Sequence, residues 1–372
     1  MLQKIVGSIL GCALLSCGST ALAFTLITIP QEQVAPGNTI TDSTTLETQV
    51  QPIAATIRAQ LFSHLRPRSA QKGTQVGGVM LAANARAGST SSDVVYLAAA
   101  PGDSSAAGGG SGGGNSESVW ISGTGNSLAN TFSRTAFYGA TSNILAGFDL
   151  TRSDRYVLGL SAGHEASNYT TTFNTGNEKT RGFNVNPYFA LLLSDKWSLD
   201  LILGYGQFNT RQTRTVGTGV LTTMAVDSDF DSKRGFASTN LTNVSTWGNW
   251  KLTGSLGYLG SRRENDDYVE SNGNAVASTK QTSQQGSFLG EAAYGRGNSE
   301  AFLGATYETN RNPEKLQFAS GEQPANDPNS VVLTAGWRHI GKGLSASFVF
   351  SGRVGQDQVR EYGFSMMLRV DL

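Results

Sequence analysis

The chain ends in the stretch EYGFSMMLRVDL, residues 361–372, in which every even-numbered position is apolar or aromatic. Among the odd-numbered positions, only Met367 carries a large apolar side chain. A period of two predicts a β-strand with one face in an apolar medium and the other in a polar one. Because a strand of a soluble sandwich can show the same alternation, the other strands must decide which medium this face meets.

The composition of the chain excludes several classes of protein. A membrane-spanning helix needs roughly 18 or more consecutive apolar residues, and no such run follows the N-terminal region. Charged residues make up 15% of the chain and balance to a net charge of +0, whereas nucleic-acid binding requires a clustered basic surface. Glycine is frequent, at 45 of the 372 residues, and small barrels use such small residues to fill their interior.

Residues 1–23 have the three parts of a secretory signal peptide. Lys4 supplies the positive charge, residues 5–15 form the apolar core, and Ala-Leu-Ala at residues 21–23 is a small-x-small cleavage site. We therefore predict export, with cleavage between Ala23 and Phe24.

Both cysteines of the chain, Cys12 and Cys17, lie within this N-terminal segment, so the predicted mature protein has none. A chain without cysteine avoids oxidation in the periplasm. The sequence LLSC at residues 14–17 loosely resembles a lipobox, which would make Cys17 a lipidated first residue. The fit is poor at the second position, and the Ala-Leu-Ala site is favoured.

Residues 24–116 contain no recognisable domain and are predicted to be a short passenger or linker segment of low order. Proline is tolerated at a first helical position, and apolar residues recur every four positions after Pro52, so a helix is predicted near 52–66. A small packing helix is favoured over a membrane helix or a plug of a lumen. Residues 104–116, rich in Gly and Ser, are predicted to be a flexible linker.

Period-two alternation recurs throughout residues 117–372. From Trp197 to Tyr205, for example, every odd-numbered residue is apolar or aromatic. Counting such segments gives twelve strands, of which the sixth, near residues 230–243, is the weakest. An even number of antiparallel strands is typical of single-chain bacterial outer-membrane barrels. We therefore predict an all-β fold, a transmembrane 12-stranded antiparallel β-barrel with a mostly unstructured N-terminal segment containing one short helix.

The connections between the predicted strands alternate in length. Tight turns are predicted at residues 153–154, 194–196, 246–249, 296–298 and 341–342. The intervening connections are mostly long and polar, at residues 166–181, 209–225, 262–280 and 309–329, with a shorter one at 353–358. Outer-membrane barrels have short periplasmic turns and longer external loops. A soluble sandwich has no reason to sort its connections by length.

Large aromatic residues fall at two levels of the predicted strands. They are Trp120, Trp197, Trp250 and Trp337 at the tight-turn end, with Tyr205 and Tyr258 toward the long connections. Eight residues of strand separate the two levels, which is about 26 Å at about 3.3 Å per residue. This length is comparable to the apolar band of about 25 Å between aromatic girdles. We therefore predict that these six residues lie at the membrane interfaces, where an indole ring keeps its N–H wet.

The opposite face of the predicted strands carries charges of both signs. These residues are Asp149, Asp200, Lys251, Glu291, Glu308, Arg338, Arg353 and Arg369. We predict that they line the lumen, form salt bridges that rigidify it, and offer polar contacts to a threaded chain. The alternative interpretation is a hydrated channel with little selectivity.

The outward face of the terminal strand is predicted to be the signal that the barrel-assembly machinery recognises. Its residues are Tyr362, Phe364, Met366, Leu368, Val370 and Leu372.

Four short motifs carry a resemblance to a known family. They are NILAGFD at residues 143–149, YVLGLSAG at 156–163, LGYG at 203–206 with Arg211 or Arg214 downstream, and DYVES at 267–271. In this order and spacing they resemble motifs of the C-terminal translocator domain of autotransporters (type V secretion), and the match runs from about Trp120 to Leu372. The resemblance implies a twelve-stranded barrel with a helix threaded through its lumen, and export of an N-terminal passenger.

The sequence departs from that family in two places. Its last residue is Leu372, where the family usually has an aromatic residue. The family's lumen helix normally lies just before the first strand, whereas the predicted helix lies some fifty residues upstream of it. The predicted passenger, at under a hundred residues, is also too short for the usual long β-helix.

The sequence offers little support for catalysis. The three histidines, His64, His164 and His339, show neither triad nor metal-ligand spacing. Residues 102–105, GDSS, superficially resemble a hydrolase nucleophile motif, but they lie in the linker without a strand-to-helix elbow. We therefore expect no enzyme activity, no metal site and no cofactor.

The functional prediction is an autotransporter-type outer-membrane barrel that translocates or displays a short N-terminal segment at the surface of a Gram-negative bacterium. The alternative is a stand-alone structural or porin-like barrel with the N-terminal segment as an accessory plug. A barrel enzyme such as a lipase or protease is a third hypothesis, disfavoured by the missing catalytic set. The expected partners are outer-membrane lipid, the barrel-assembly machinery and periplasmic chaperones, with no nucleic acid, and the barrel is expected to be monomeric.

Overall fold

The computed structural model describes most of the chain from residue 116 onward and short parts of the region before it. The described residues are 25–29, 43–64, 75–76, 79–80, 116–153, 155–217, 223–311, 314–318, 321–325, 327–340 and 344–372. The predicted signal peptide with Cys17, Ala23 and Phe24, and all but the last residue of the predicted linker 104–116, lie outside the described residues.

Twelve antiparallel strands close into one barrel. In chain order they are β1 (Ser116–Asn130), β2 (Phe137–Ser153), β3 (Tyr156–Thr171), β4 (Gly176–Leu192), β5 (Trp197–Gly217), β6 (Thr223–Trp247), β7 (Trp250–Asn265), β8 (Thr279–Arg296), β9 (Ser299–Asn310), β10 (Asn329–Ile340), β11 (Leu344–Val354) and β12 (Val359–Asp371). Each strand pairs with its neighbours in the chain, and β12 closes the barrel on β1. The predicted fold class is confirmed.

The alternation of the sequence separates an outer face from an inner face. In β5, Leu199, Leu201 and Leu203 are 37%, 44% and 45% exposed, whereas Asp200 and Ile202 between them are fully buried. Most strands likewise expose large apolar side chains outward and bury polar ones inward, whereas β6 buries Val226, Phe230, Phe236 and Val244. So large an exposed apolar surface marks a contact with another apolar phase, which for a closed barrel is the bilayer.

Two described tight turns contain a glycine that the turn requires. Gly248 between β6 and β7 and Gly297 between β8 and β9 have φ angles of +58° and +63°. Only glycine adopts this backbone region without a steric penalty, and two-residue hairpins need it. The end of the barrel that carries these turns is called the tight-turn end, and the opposite end is the long-loop end.

Two of the connections predicted to be long are mostly strand. β3 and β4 continue to Thr171 and Gly176, inside the predicted loop 166–181, and β5 and β6 continue to Gly217 and Thr223, inside the predicted loop 209–225. Beyond the bilayer both faces of a strand can be polar, so the apolar alternation ends while the backbone ladder continues. The same reason explains why β6, predicted only near 230–243, has 25 residues.

Three short strand pairs are described apart from the barrel sheet, and two of them lie at the long-loop end. Tyr268–Val269 and Ala275–Val276 form a small hairpin between β7 and β8. Between β9 and β10, Glu314–Phe318 pairs in parallel with Thr25–Ile29 from the N-terminal segment. A third pair joins Gln75–Val76 to Val79–Met80.

A single helix of 22 residues, α1 (Ser43–His64), is described in the N-terminal segment. It begins nine residues before Pro52, where the prediction near 52–66 placed its start, and Pro52 lies in its interior. The apolar spacing continues upstream of the proline through Val50 and Leu46, and burial of these residues offsets the hydrogen bond that the proline lacks. Among the described residues, no helix combines the length and apolarity needed to span a membrane.

Candidate functional site

Helix α1 lies inside the barrel and fills its lumen. The side chains described along it, from Leu46 to Leu61, are all buried. At about 1.5 Å per residue the helix is about 33 Å long, which is enough to cross an apolar band of about 25 Å. The helix therefore lies inside the lumen, surrounded by the barrel wall, and the preference for a small packing helix over a lumen plug is wrong.

One stripe of α1 is apolar and packs on the wall formed by β1 to β7. The stripe consists of Leu46, Val50, Ile53, Ile57 and Leu61, spaced three and four residues apart. The wall residues in the same cluster are Trp120, Leu145, Val157, Tyr188, Ala190, Ile202, Phe236 and Leu259. Burial of a Leu or Ile side chain is worth about 1.5–3 kcal/mol, so this stripe stabilises the helix in the lumen.

Trp120 belongs to this wall, and its predicted place at the membrane interface is wrong. Its side chain is 3% exposed, and its Nε1 donates a hydrogen bond to the Tyr188 hydroxyl at 3.0 Å. Val119 and Ile121 face outward instead, at 40% and 51% exposed. Because Val119, Trp120 and Ile121 are all apolar, the sequence does not show which of them face outward. A shift of one residue moves every side chain of a strand to the other face.

A second stripe of α1 is polar and fixes the position of the helix. It contains Glu47, Gln51 and Arg58, at helical spacings of four and seven. Nearest the long-loop end, the Glu47 carboxylate accepts hydrogen bonds from Asn310 Nδ2 at 2.5 Å and from the Ser283 hydroxyl.

Gln51 contacts a cluster in the wall that we call the upper anchor, made of Gln285, Glu308, Arg353 and Glu361. Arg353 Nη2 donates to Gln51 Oε1 at 3.3 Å, and Gln51 Nε2 donates to Glu308 Oε1 at 3.3 Å and to Gln285 Oε1. Arg353 also forms ion pairs with Glu308 at 2.5 Å and with Glu361 at 2.8 Å. The charge of Arg353 is therefore balanced within the wall before the helix contributes.

Arg58 contacts the lower anchor, made of Asp200, Ser238 and Asn240. Its Nη2 donates to the Ser238 hydroxyl at 3.1 Å, and its Nε lies 3.8 Å from Asp200 Oδ1. Asp200 is fully buried, and its Oδ1 accepts a hydrogen bond from Asn240 Nδ2 at 2.9 Å. A charge on the helix here meets an opposite charge in the wall.

Two residues before Gln51, Gln49 contacts a further ion pair of the wall. Arg234 Nη1 donates to Gln49 Oε1 at 2.8 Å and to Glu165 Oε1 at 2.9 Å, and its guanidinium lies 4.3 Å from the Phe208 ring centroid. Like the upper anchor, this pair carries both charges on the barrel wall.

The structure places all eight of the predicted lumen charges on the inner face. Arg338 pairs with Glu291 at 2.5 Å and lies 3.8 Å from the Phe302 ring centroid. Lys251 pairs at 2.9 Å with Glu300, which the sequence analysis did not single out.

The two remaining predicted lumen charges lie near the tight-turn end. Arg369 pairs with Asp371 at 2.6 Å. Asp149 accepts hydrogen bonds from Ser118 Oγ at 3.0 Å and from the Tyr188 hydroxyl at 2.5 Å. Through Tyr188 this carboxylate is linked to Trp120 and thereby to the wall beneath α1.

The hairpin between β7 and β8 folds against the mouth of the barrel at the long-loop end. Arg214 and the buried Glu270 form an ion pair at 2.8 Å, and the Tyr268 ring stacks on Phe230 with centroids 4.6 Å apart. Partial burial raises the pKa of the Tyr268 hydroxyl, which accepts a hydrogen bond from Gln212 Nε2 at 2.8 Å. These contacts hold the hairpin against β5 and β6.

The other predicted outer-face residues all point away from the lumen. Trp197, Trp250, Trp337, Tyr205 and Tyr258 are between 41% and 52% exposed. On β12, Tyr362, Phe364, Met366, Leu368, Val370 and Leu372 are between 39% and 72% exposed, whereas Met367 is buried.

Sequence reasoning missed the polar residues of α1 and several of their partners. Glu165 fell close to a predicted loop, and Arg234 lay in the weak sixth strand. A signal was present for Gln51 and Arg58, since they follow Glu47 at helical spacing. The assumption that Pro52 begins the helix concealed that stripe. Among the described residues, no group of three or more His, Cys, Asp or Glu side chains could hold a metal ion.

Comparison with known proteins finds a family and two solved structures that resemble this barrel. The family model "Autotransporter beta-domain" matches residues 119–348, more than half of the chain. The translocator domain of the autotransporter NalP from Neisseria meningitidis is 14% identical, with a TM-score of 0.54 and coverage of 68% of this chain and 88% of that one. The β domain of the Bordetella autotransporter BrkA is 17% identical, with a TM-score of 0.58 and coverage of 68% and 98%.

At these identities the two structures show the fold alone. Among curated protein sequences, none matches the chain. The match to the family model confirms the resemblance drawn from the four motifs, and the barrels of this family lie in the outer membrane. The chain belongs to the autotransporter β-domain family.

Proposed function

We propose that the protein carries an N-terminal segment of its own chain to the cell surface along the helix in its lumen. The observation that supports this is the direction of α1. Glu47, near its start, contacts the long-loop half of the barrel, and Arg58, near its end, contacts Asp200, three residues from the tight-turn end of β5. In bacterial outer-membrane barrels the longer loops face outward, so the chain runs from outside to inside along α1.

The segment before the helix supports the same direction. Thr25–Ile29 pairs with Glu314–Phe318 in the connection between β9 and β10, at the long-loop end. Strand addition of this kind holds a segment through backbone hydrogen bonds. After α1 the chain returns to β1, which begins at Ser116 at the tight-turn end. The N-terminal segment and the chain between α1 and β1 therefore start from opposite ends of the barrel.

Labelling of a single cysteine tests this orientation, because both cysteines of the chain lie in the predicted signal peptide. We expect a Thr28→Cys variant to react with a membrane-impermeant maleimide on intact cells. An Asp195→Cys variant, in the turn between β4 and β5, should react only after the cells are permeabilised. The unsubstituted chain is the blank. Protection of the Thr28→Cys variant in intact cells would contradict surface display.

A barrel plugged by α1 without display is the second candidate. Full burial of the helix favours it, since a filled lumen conducts few ions. In that case both cysteine variants stay unlabelled on intact cells, and removal of α1 raises the conductance of the barrel in a planar bilayer. We propose no catalytic role for the barrel.

Assembly of the barrel is proposed to depend on the predicted signal peptide, periplasmic chaperones and the barrel-assembly machinery, which recognises the outward face of β12. Phe364, on that face, is 39% exposed and pairs with Phe350, with ring centroids 5.3 Å apart. We expect Phe364→Asp to abolish the heat-modifiable folded form in outer membranes, because it places a charge in the apolar band. A Thr223→Asp variant, at the long-loop end, should assemble normally. Normal assembly of Phe364→Asp would refute the role of the outward face of β12 as the assembly signal.

A further inference from the structure

A groove of about 790 Å³ crosses the outer wall of the barrel from β12 to β4 near the long-loop end. Its floor is a row of residues paired across five strands. The row runs from Phe364 through Gly125, Ser142 and Ala166 to Arg181. A second row, one step closer to the long-loop end, runs in the same way from Tyr362 to Lys179. Small side chains in the middle thus separate an aromatic edge from a basic edge.

The groove climbs from the apolar band toward the headgroup layer. Paired residues lie on a line perpendicular to the strands, and strands of such barrels tilt by roughly 35–45°. Four steps of about 4.8 Å give a row about 19 Å long that rises by about 12 Å. A parallel row shows which end is closer to the long loops. It starts at Leu368, near the tight-turn end of β12, and reaches Tyr205 on β5, which lies toward the long-loop end. Phe364 is therefore the low end of the groove, and Arg181 is the high end.

The basic edge carries two exposed cations. Neither Lys179 nor Arg181 forms an ion pair with any described residue. Lys179 faces Arg211 across the β4–β5 pair, and Arg211 is itself paired with Asp229 at 3.0 Å. Asp229 and Asp231 also accept hydrogen bonds from Asn209, the neighbour of Arg181. The acidic groups closest to the basic edge therefore already have partners, and an excess of positive charge remains.

We propose that this groove holds one phosphorylated glycolipid of the outer leaflet. A phosphate at headgroup height meets Lys179 and Arg181, and a guanidinium binds phosphate oxygens in a bidentate way. An acyl chain lies down the shallow floor at Gly125 and against Phe364. The hydroxyl of Ser142 and the side-chain amide of Asn168, both exposed in the groove, offer hydrogen bonds to sugar hydroxyls.

Native mass spectrometry of the full-length barrel in detergent, titrated with lipid A as the bisphosphorylated probe, tests the cationic edge. We expect one tightly bound lipid A per barrel, and a weakening of about 10- to 30-fold in the Lys179→Gln/Arg181→Gln variant. The matched control is Arg262→Gln/Lys280→Gln, which removes two exposed cations on the other side of the barrel. Equal binding by both double variants and the unsubstituted barrel would overturn the proposal.

A second variant tests the floor without changing charge. A Cβ at Gly125 would meet nothing within 4 Å, so Gly125→Leu should fold normally while filling the groove. Gly290, outward on β8, has equally open space, and Gly290→Leu is the control. We expect only Gly125→Leu to weaken binding of lipid A, and dephosphorylated lipid A to bind all variants equally weakly. Unchanged binding of lipid A by Gly125→Leu would place the lipid elsewhere.

Discussion

The upper and lower anchors hold the same helix by different physical means. At the upper anchor, the neutral Gln51 of α1 meets Arg353, whose charge is balanced by Glu308 and Glu361 of the wall. At the lower anchor, Arg58 of α1 supplies the positive charge that faces the fully buried Asp200.

The difference shows where the barrel depends on its helix. Both ion pairs of the upper anchor lie within the wall, so loss of the helix there removes hydrogen bonds only. At the lower anchor, loss of the helix also removes the cation that faces Asp200, so an ion pair is lost in addition to a hydrogen bond. We infer that the upper contacts set the register of α1 and that the lower contact resists its release.

The largest effect is expected from Arg353→Met, which strips the upper anchor of its central charge. Glu308 and Glu361 would remain buried without a cation, at a cost of about 3–5 kcal/mol. Urea unfolding of the refolded barrel and its heat-modifiability measure this change in the free energy of unfolding. Adding Glu308→Gln and Glu361→Gln should recover much of the loss. If the Arg353→Met barrel had the same free energy of unfolding as the unsubstituted barrel, Arg353 would not be needed to stabilise the buried Glu308 and Glu361.

A somewhat smaller effect, about 3 kcal/mol, is expected from Arg58→Met, which keeps the apolar stem and removes the charge. The same unfolding measurement applies, together with single-channel conductance, which should show more frequent openings as α1 loosens. The control is Arg58→Met/Asp200→Asn, in which both charges of this ion pair are removed. If the double variant is no more stable than Arg58→Met, the lower anchor is not electrostatic.

The smallest effect is expected from Gln51→Leu, about 1–2 kcal/mol, because only hydrogen bonds are lost and Arg353 keeps both carboxylates. Conductance should rise slightly, and the free energy of unfolding should fall by less than in the Arg58→Met variant. Gln49→Leu is the matched control, since Arg234 likewise keeps Glu165 as its partner. A cost for Gln51→Leu as large as that for Arg58→Met would erase the distinction between the anchors.

The sequence predicted the polar residues of the lumen better than their partners. Alternation placed Arg353 and Glu308 inside, but it contained no information that Glu361 would join them across the β11–β12 hairpin. Trp120 shows the limit of the same method, because Val119 and Ile121 flank it and either phase of β1 would bury something apolar. The register of closure against β12, which is a contact between the two ends of the barrel sequence, settles that phase.

The strands that extend beyond the bilayer show a second limit. Residues 166–181 lack apolar alternation and were predicted to be a loop, yet β3 and β4 run through most of them. Apolar alternation reports an apolar environment on one side, so it ends at the membrane surface even where the hydrogen-bonded ladder does not.

The sequence by itself determined the twelve strands and, outside β1, which side chains face outward, because both depend on a local period of two between an apolar and a polar medium. Only the tertiary structure decided where α1 lies. Its two stripes are buried against strands from β1 to β11, which are far apart in the chain. Local propensity would begin the helix at Pro52, and burial of Leu46 and Val50 in the lumen extends it to Ser43. Pairing of β12, the strand that precedes Leu372, with β1 thus closes the barrel. Burial in the enclosed lumen then stabilises the helix.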